Sequence, residues 1–196
     1  MAEVVLFHGG RGLRPGVTLA AERLREAGHV LHVPDYYDGE VFDDLADGMA
    51  KRDALGMEEI VRRAHAAVED LPEAVVLAGF SLGAMLAQLL AAARPGTHGA
   101  ILMHGAQRLE VLGLDRWPAG VPADVHYGAG DDLVDAEAVM ALGAVVTAAG
   151  ARFDAYAYPC SGHLFADPDL PDYHHDSAEL MWERVAAFLA RVDATS

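Results

Sequence analysis

Gly79-Phe80-Ser81-Leu82-Gly83 stands between an apolar run, Ala74–Ala78, and a segment rich in alanine and leucine, Leu82–Ala93. The apolar run predicts a buried strand, and the segment after it predicts a helix. A Gly-x-Ser-x-Gly sequence at such a junction is typical of a sharp turn that lifts a nucleophilic serine above a sheet. The pattern is expected by chance about 0.04 times in a chain of this composition; the alternative is an ordinary glycine-rich turn.

Strand-like and helix-like segments alternate outward from this junction. The predicted strands are Val4–Phe7, Val30–Val33, Ala74–Ala78, Ala100–Met103, Ala123–Tyr127 and Phe153–Tyr158. The predicted helices are Val17–Ala27, Met57–Leu71, Leu82–Ala93, Ala136–Ala149 and Ser177–Val192. Strands without polar alternation, joined by helices, predict an α/β fold with about six mostly parallel strands and helices on both faces. With no linker or repeat, residues 1–196 are expected to form a single domain.

Composition excludes several classes of protein. The 196 residues carry 14 basic and 30 acidic side chains, a formal net charge of −16, so a nucleic-acid partner is not expected. No apolar run approaches the ~18 residues needed to span a bilayer, so no membrane partner is expected either. The N-terminus lacks a basic leader and Cys160 is the only cysteine, which together favour a cytoplasmic protein without disulfides.

A serine nucleophile needs a general base and a carboxylate that orients this base. The carboxylate is expected on a loop after a later strand. The fifth predicted strand leads into Gly128-Ala129-Gly130-Asp131-Asp132, which places Asp131 just past the strand end. Asp131 is therefore the predicted carboxylate. Asp132 and Asp135 are its rivals, and their alternative role is to cap the helix that follows.

The general base is expected on the loop after the last strand. His163 is the only histidine in Pro159-Cys160-Ser161-Gly162-His163-Leu164-Phe165, and it is the predicted base; His104, after the fourth strand, is its main rival. Cys160 is interpreted as a packed thiol, because the serine already occupies the turn. His174-His175 lacks acidic or cysteine neighbours at metal-ligand spacing, so no metal is expected.

His8-Gly9-Gly10-Arg11-Gly12 follows the first strand. In a serine hydrolase with this strand order, one oxyanion donor comes from this loop and the other from the residue after the nucleophile. The Gly10 and Leu82 amides are therefore the predicted oxyanion donors. A phosphate-binding loop is a weaker alternative, because the lysine such a loop needs is absent.

The sequence resembles the dienelactone hydrolase family over nearly its whole length. The resemblance rests on Phe7-His8-Gly9-Gly10 with Gly12-Leu13, Val33-Pro34-Asp35-Tyr36-Tyr37, Gly79-Phe80-Ser81-Leu82-Gly83-Ala84, His126-Tyr127-Gly128-Ala129-Gly130-Asp131 and Ser161-Gly162-His163-Leu164-Phe165. It implies a minimal α/β-hydrolase fold, a triad of Ser81, Asp131 and His163, and a compact, soluble hydrolase without a lid or cofactor.

Three positions depart from the family pattern. Members that act on dienelactone carry a cysteine where Ser81 stands, a glutamate where Gly9 stands and a substrate-binding arginine where Asp167 stands. The resemblance therefore implies retained chemistry on a different substrate, a small carboxylic ester or lactone. Because Asp167 would repel a carboxylate, neutral short-chain substrates are expected, unless Arg11 or Arg52 supplies a replacement cation.

Two further interpretations stay open. The chain could be a ligand-binding relative without catalysis, or it could transfer an acyl group to an acceptor other than water. Residues 35–56 are the least regular stretch, and together with residues 105–118 they are expected to shape the pocket and are candidates for a mobile cover.

Overall fold

The computed structural model describes residues 1–194 and contains one six-stranded sheet in the order β2-β1-β3-β4-β5-β6. The strands are β1 (Glu3–Phe7), β2 (Val30–His32), β3 (Val76–Phe80), β4 (Gly99–Met103), β5 (Ala123–Gly128) and β6 (Phe153–Tyr158). Every neighbouring pair is parallel. The α/β class and the helix-covered parallel sheet are confirmed. Residues 195 and 196, the last two of the expected domain, lie outside the described residues.

Residues 1–194 contain six α-helices and one short 3₁₀ helix, and all of them except the last α-helix lie between strands. They are α1 (Pro15–Glu26), α2 (Leu45–Leu55), α3 (Met57–Ala66), α4 (Leu82–Ala93), the 3₁₀ helix Leu109–Leu112, α5 (Ala136–Ala148) and α6 (His175–Asp193). Within residues 1–194 no helix combines the length and apolarity needed to cross a bilayer.

The sheet is buried on both faces, which explains its uninterrupted apolar strands. In β1, Val4 and Leu6 pack with α1 and α6, whereas Val5 and Phe7 pack on the opposite face with α3, α4 and α5. All four side chains are fully buried, and each contributes about 1.5–3 kcal/mol of hydrophobic stabilisation. Because all strands are parallel, their carboxyl ends meet at one edge, where the loops after β1, β3, β4, β5 and β6 converge.

The largest difference from the sequence prediction lies in residues 35–56, which contain α2. This helix has little apolar periodicity, and its residues 47–48 are Asp-Gly, a pair that usually marks a turn. Asp44 caps it by accepting from the Ala46 amide at 2.6 Å. A Cβ at Gly48 would lie 2.1 Å from the Gly10 carbonyl oxygen, so the glycine allows α2 to pack on the loop after β1.

Several predicted boundaries also differ, among them the end of β3 and the end of α3. Strand β3 runs to Phe80 rather than ending at Ala78, so Ser81 follows the strand directly. Helix α3 ends at Ala66 instead of Leu71, and hydrogen-bonded turns continue the chain from there.

Asp124, on β5, is a fully buried carboxyl whose Oδ2 accepts from Arg191 at 3.3 Å. Its Oδ1 has no partner among residues 1–194. Burial raises the pKa of Asp124 to about 7, against the opposing charge of Arg191.

A pH-dependent contribution to stability follows from Asp124. Between about pH 4 and pH 7 the folded state holds a proton that the unfolded chain has lost, so stability falls as pH rises through this window. We expect wild type to lose about 3 kcal/mol relative to Asp124→Asn between pH 4.5 and pH 8. Urea unfolding of both variants across this range measures the difference. Exposed Asp132→Asn is the control, and parallel profiles for Asp124→Asn and wild type would contradict the prediction.

Candidate active site

Ser81 occupies the turn between β3 and α4 with φ 53° and ψ −110°. A non-glycine residue in this region carries strain of about 1–3 kcal/mol, and such strain is typical of functional sites. The flanking glycines make the turn possible. A Cβ at Gly79 would lie 2.2 Å from the Gly83 carbonyl oxygen, and a Cβ at Gly83 would lie 2.3 Å from that of Phe7. The turn thus has the geometry expected of Gly-x-Ser-x-Gly.

The structure brings Ser81, His163 and Asp131 into one hydrogen-bonded chain. His163 Nε2 lies 2.8 Å from Ser81 Oγ, and His163 Nδ1 lies 2.7 Å from Asp131 Oδ2. A carboxylate only accepts, so the proton between these two groups sits on Nδ1 and leaves Nε2 free to accept the serine proton. The Leu133 amide donates to Asp131 Oδ1 at 3.0 Å and holds the carboxylate in place.

The rival acids do not contact His163. Asp132 is exposed, and Asp135 caps α5 by accepting from the Glu137 and Ala138 amides at 2.9 and 3.1 Å. Asp135 therefore has the helix-capping role that the sequence analysis gave as its alternative.

The rival base, His104, is buried, with its ring centroid 6.0 Å from that of His163. It stacks on Phe80, and neither ring nitrogen has a hydrogen-bond partner in the described part of the chain. Burial lowers its pKa well below the usual value. His104 therefore forms a neutral wall of the site.

The loops that carry Asp131 and His163 are joined by main-chain hydrogen bonds. The Gly130 amide donates to the Cys160 carbonyl at 3.0 Å. On the other side, a Cβ at Gly162 would lie 2.3 Å from the Asp172 carbonyl oxygen, and Asp172 Oδ2 accepts from the Leu164 amide at 3.2 Å. Asp172 was not singled out from the sequence, because nothing local distinguishes it from other surface aspartates. The Cys160 thiol has a pKa raised by burial.

The Gly10 and Leu82 amides both lie beside the serine turn. Leu82 begins α4, where helix amides carry partial positive charge. Neither amide donates a hydrogen bond to any of residues 1–194. Both amides therefore have an unused hydrogen-bond donor, as their predicted role as oxyanion donors requires.

Ser81 opens into a cleft of about 390 Å³. Its lining includes Leu45, Met49, Arg52, Leu82, Met85, Gln107, Leu133 and Val134. Both segments expected to shape the pocket contribute to it, α2 from residues 35–56 and Gly105 to Gln107 from residues 105–118. The walls are mainly apolar. Arg52 supplies a positive charge, partly neutralised by Asp53 at 2.8 Å from its Nε, and Asp135 supplies a negative charge.

Asp167 lies elsewhere. It lines a separate small cavity, which shares His104 with the Ser81 cleft, and its Oδ2 is 3.9 Å from Arg14 Nε. Burial raises its pKa, while Arg14 and the Asp169 amide oppose the shift. The expectation that Asp167 lies at the mouth of the site is not met, because its carboxylate lies beside Arg14 and does not line the Ser81 cleft. Its predicted repulsion of anionic substrates stays a prediction.

His174-His175 lies at the start of α6. The His174 ring caps this helix, with Nδ1 accepting from the Ser177 amide at 3.3 Å. The described residues contain no cluster of three or more histidine, cysteine, aspartate or glutamate side chains that could hold a metal ion.

Comparison with known proteins identifies the family to which the chain belongs. A Rhodococcus opacus carboxymethylenebutenolidase is 30% identical over 208 residues, covering 96% of this chain and 80% of that protein. The match to an Escherichia coli K12 relative covers only 44% of that relative.

Solved structures share the fold. A dienelactone hydrolase-like promiscuous phosphotriesterase from metagenomic libraries has a TM-score of 0.79 at 22% identity, with 98% of this chain and 87% of that one covered. A Thermogutta terrifontis thermophilic esterase has a TM-score of 0.71 at 19% identity, with 97% and 81% covered. The sequence model of the dienelactone hydrolase family matches residues 1–193. The chain therefore belongs to the dienelactone hydrolase family and is a hydrolase with the α/β-hydrolase fold.

Proposed function

We propose that this protein is a serine hydrolase that cleaves a small carboxylic ester or lactone through an acyl-enzyme. The observation that carries the proposal is the chain from Ser81 Oγ through His163 to Asp131, with both links under 3 Å, at the floor of an open cleft. The names of the Rhodococcus relative and the Thermogutta esterase support the same reaction class.

The proposed reaction has two halves. His163 Nε2 takes the Ser81 proton as Oγ attacks the carbonyl carbon, and the oxyanion accepts from the Gly10 and Leu82 amides. His163 then protonates the leaving oxygen, and the carbon–oxygen bond breaks to leave the acyl-enzyme. Water gives a proton to His163 and attacks the ester carbonyl, which releases the acid and returns the proton to Ser81. Asp131 stabilises the imidazolium formed in each half.

The cleft limits the class of substrate. Its volume of about 390 Å³ suits a small ligand, and its leucine and methionine walls favour an apolar acyl or alcohol group. With Asp167 in a separate cavity, the charge preference of the site depends on Arg52 and Asp135, which both line the cleft. We therefore propose a small ester or lactone as the substrate, and we propose that Arg52 on α2 contributes to selection by substrate charge. Residues 1–196 are proposed to form one domain, since a single sheet organises the described chain.

Charge selectivity is expected to change in Arg52→Gln. Loss of this cation should lower kcat/KM for mono-p-nitrophenyl glutarate about fivefold relative to p-nitrophenyl butyrate, because a partly solvated ion pair is worth about 1 kcal/mol. Asp167→Asn is the matched control and should leave the ratio of the two values within about twofold of wild type. A changed ratio in Asp167→Asn alone would place charge selection at the other cavity.

The proposed function is tested with a panel of p-nitrophenyl esters and lactones, assayed with wild type and Ser81→Ala. Serine-dependent turnover of short esters is the expected result; binding without turnover would favour a non-catalytic relative. Adding methanol or hydroxylamine to the assay tests acyl transfer to other acceptors. If those products exceed the free acid at low acceptor concentration, the protein is an acyltransferase.

A further inference from the structure

The peptide between Gly9 and Gly10 is held from its carbonyl side. The Gly9 oxygen accepts from His8 Nδ1 at 2.8 Å and from the Gly12 amide at 3.1 Å. In a trans peptide the carbonyl and the following N–H point in opposite directions, and the described chain contains no cis peptide. Anchoring the Gly9 oxygen therefore also sets the direction of the Gly10 N–H.

This peptide lies between the serine turn and α2. A Cβ at Gly9 would lie 3.2 Å from the carbonyl oxygen of Phe80, which directly precedes Ser81. A Cβ at Gly10 would lie 3.0 Å from Met49 Sδ, and Met49 lines the Ser81 cleft. The direction of the Gly10 N–H therefore decides whether this group can donate a hydrogen bond into the Ser81 cleft.

His8 is in turn fixed by Tyr36. The two rings stack with centroids 3.7 Å apart, the Tyr36 amide donates to His8 Nε2 at 3.4 Å, and the Tyr36 hydroxyl donates to the His8 carbonyl. Burial lowers the pKa of His8 to about 4, although the Gly9 carbonyl and Asp35 oppose the shift. The neutral ring accepts at Nε2, so its proton lies on Nδ1, facing Gly9.

We propose that His8 is a positioning residue, which, held by Tyr36, orients the Gly9–Gly10 peptide so that the Gly10 N–H faces the Ser81 cleft. This gives a role to two motifs that the triad does not use, His8-Gly9-Gly10 and Pro34-Asp35-Tyr36-Tyr37. Only the kinetic consequence rests on the proposed function; the peptide orientation does not.

Two substitutions at His8 separate its hydrogen bond from its packing. His8→Phe keeps a ring against Tyr36 but loses the donor to Gly9. His8→Asn loses the ring but places its Nδ2 where the ring Nδ1 lies. The matched control is His126→Phe, which also removes a buried histidine hydrogen bond, between Nδ1 and the Tyr158 hydroxyl at 2.9 Å, without touching the Gly9 loop. If His8→Phe does not fold, Tyr36→Phe removes a single hydroxyl from the same arrangement.

We expect kcat for p-nitrophenyl acetate to fall about 100-fold in His8→Phe with KM within threefold, because loss of one oxyanion donor has an effect of this size. His8→Asn should recover at least tenfold, Tyr36→Phe should lower kcat three- to tenfold, and His126→Phe should stay within threefold. The inference is overturned if His8→Phe stays within threefold of wild type or if His126→Phe loses as much.

The amide ¹⁵N and ¹H shifts of Gly10 report the peptide orientation without any substrate. They should move in His8→Phe and return toward wild type in His8→Asn. Unchanged Gly10 shifts in a folded His8→Phe would overturn the inference. An inactive wild type with moving Gly10 shifts would reject the proposed function and support the positioning role.

Discussion

Ser81→Ala should abolish labelling by a fluorophosphonate probe and lower kcat for short p-nitrophenyl esters by about 10⁴- to 10⁶-fold. The reason is the geometry of the turn. The serine hydroxyl is the only nucleophile that His163 Nε2 contacts in the described chain, at 2.8 Å, and alanine leaves no atom to form the acyl-enzyme. Intact-mass spectrometry after labelling should show a single adduct on wild type and none on the variant.

The matched control is Ser161→Ala, two residues before His163 in the same loop. Ser161 is exposed, so this variant should label and turn over as wild type does. Labelling of Ser81→Ala at the wild-type rate would reject Ser81 as the nucleophile.

Asp131→Asn should lower kcat by up to about 10⁴-fold while leaving the protein folded. The Leu133 amide, which donates to Oδ1 at 3.0 Å, would keep an oxygen at that position and turn the new NH₂ group toward His163. His163 Nδ1 would then have to accept, its proton would move to Nε2, and Nε2 could no longer take the serine proton. Steady-state kinetics with circular dichroism separates this effect from unfolding.

Two neighbouring acids serve as controls for this prediction. Exposed Asp132→Asn should change neither activity nor stability appreciably. Asp135→Asn should leave kcat for a neutral ester near wild type, because Asp135 caps α5 rather than holding His163, and asparagine is an equally good cap. An active Asp131→Asn beside an inactive Asp132→Asn would move the predicted carboxylate by one residue.

Much of the fold could be predicted because local patterns were strong. Apolar runs such as Val4–Phe7 are buried on both faces, and the glycines around Ser81 have no room for a Cβ. Helix α2 could not be predicted in the same way. Its apolar positions follow no clear period, and it is held by contacts from outside, such as the approach of Gly48 to the Gly10 carbonyl.

The sequence by itself determined the parallel sheet, the family, and the three side chains proposed for catalysis. The physical reason is that each of these three follows a strand, and parallel strands deliver such loops to one edge of the sheet. The oxyanion donors were likewise placed by their position after β1 and β3, and their role stays a prediction.

Only the tertiary structure decided which charges face the cleft. Asp167 is four residues from His163 in sequence, yet its carboxylate turns toward Arg14, while Arg52 reaches the cleft from α2. Likewise, the partnership of His8 with Tyr36 joins residues 28 positions apart. Side-chain direction at such points depends on how helices and loops pack against one another, and that packing has no local pattern in the sequence.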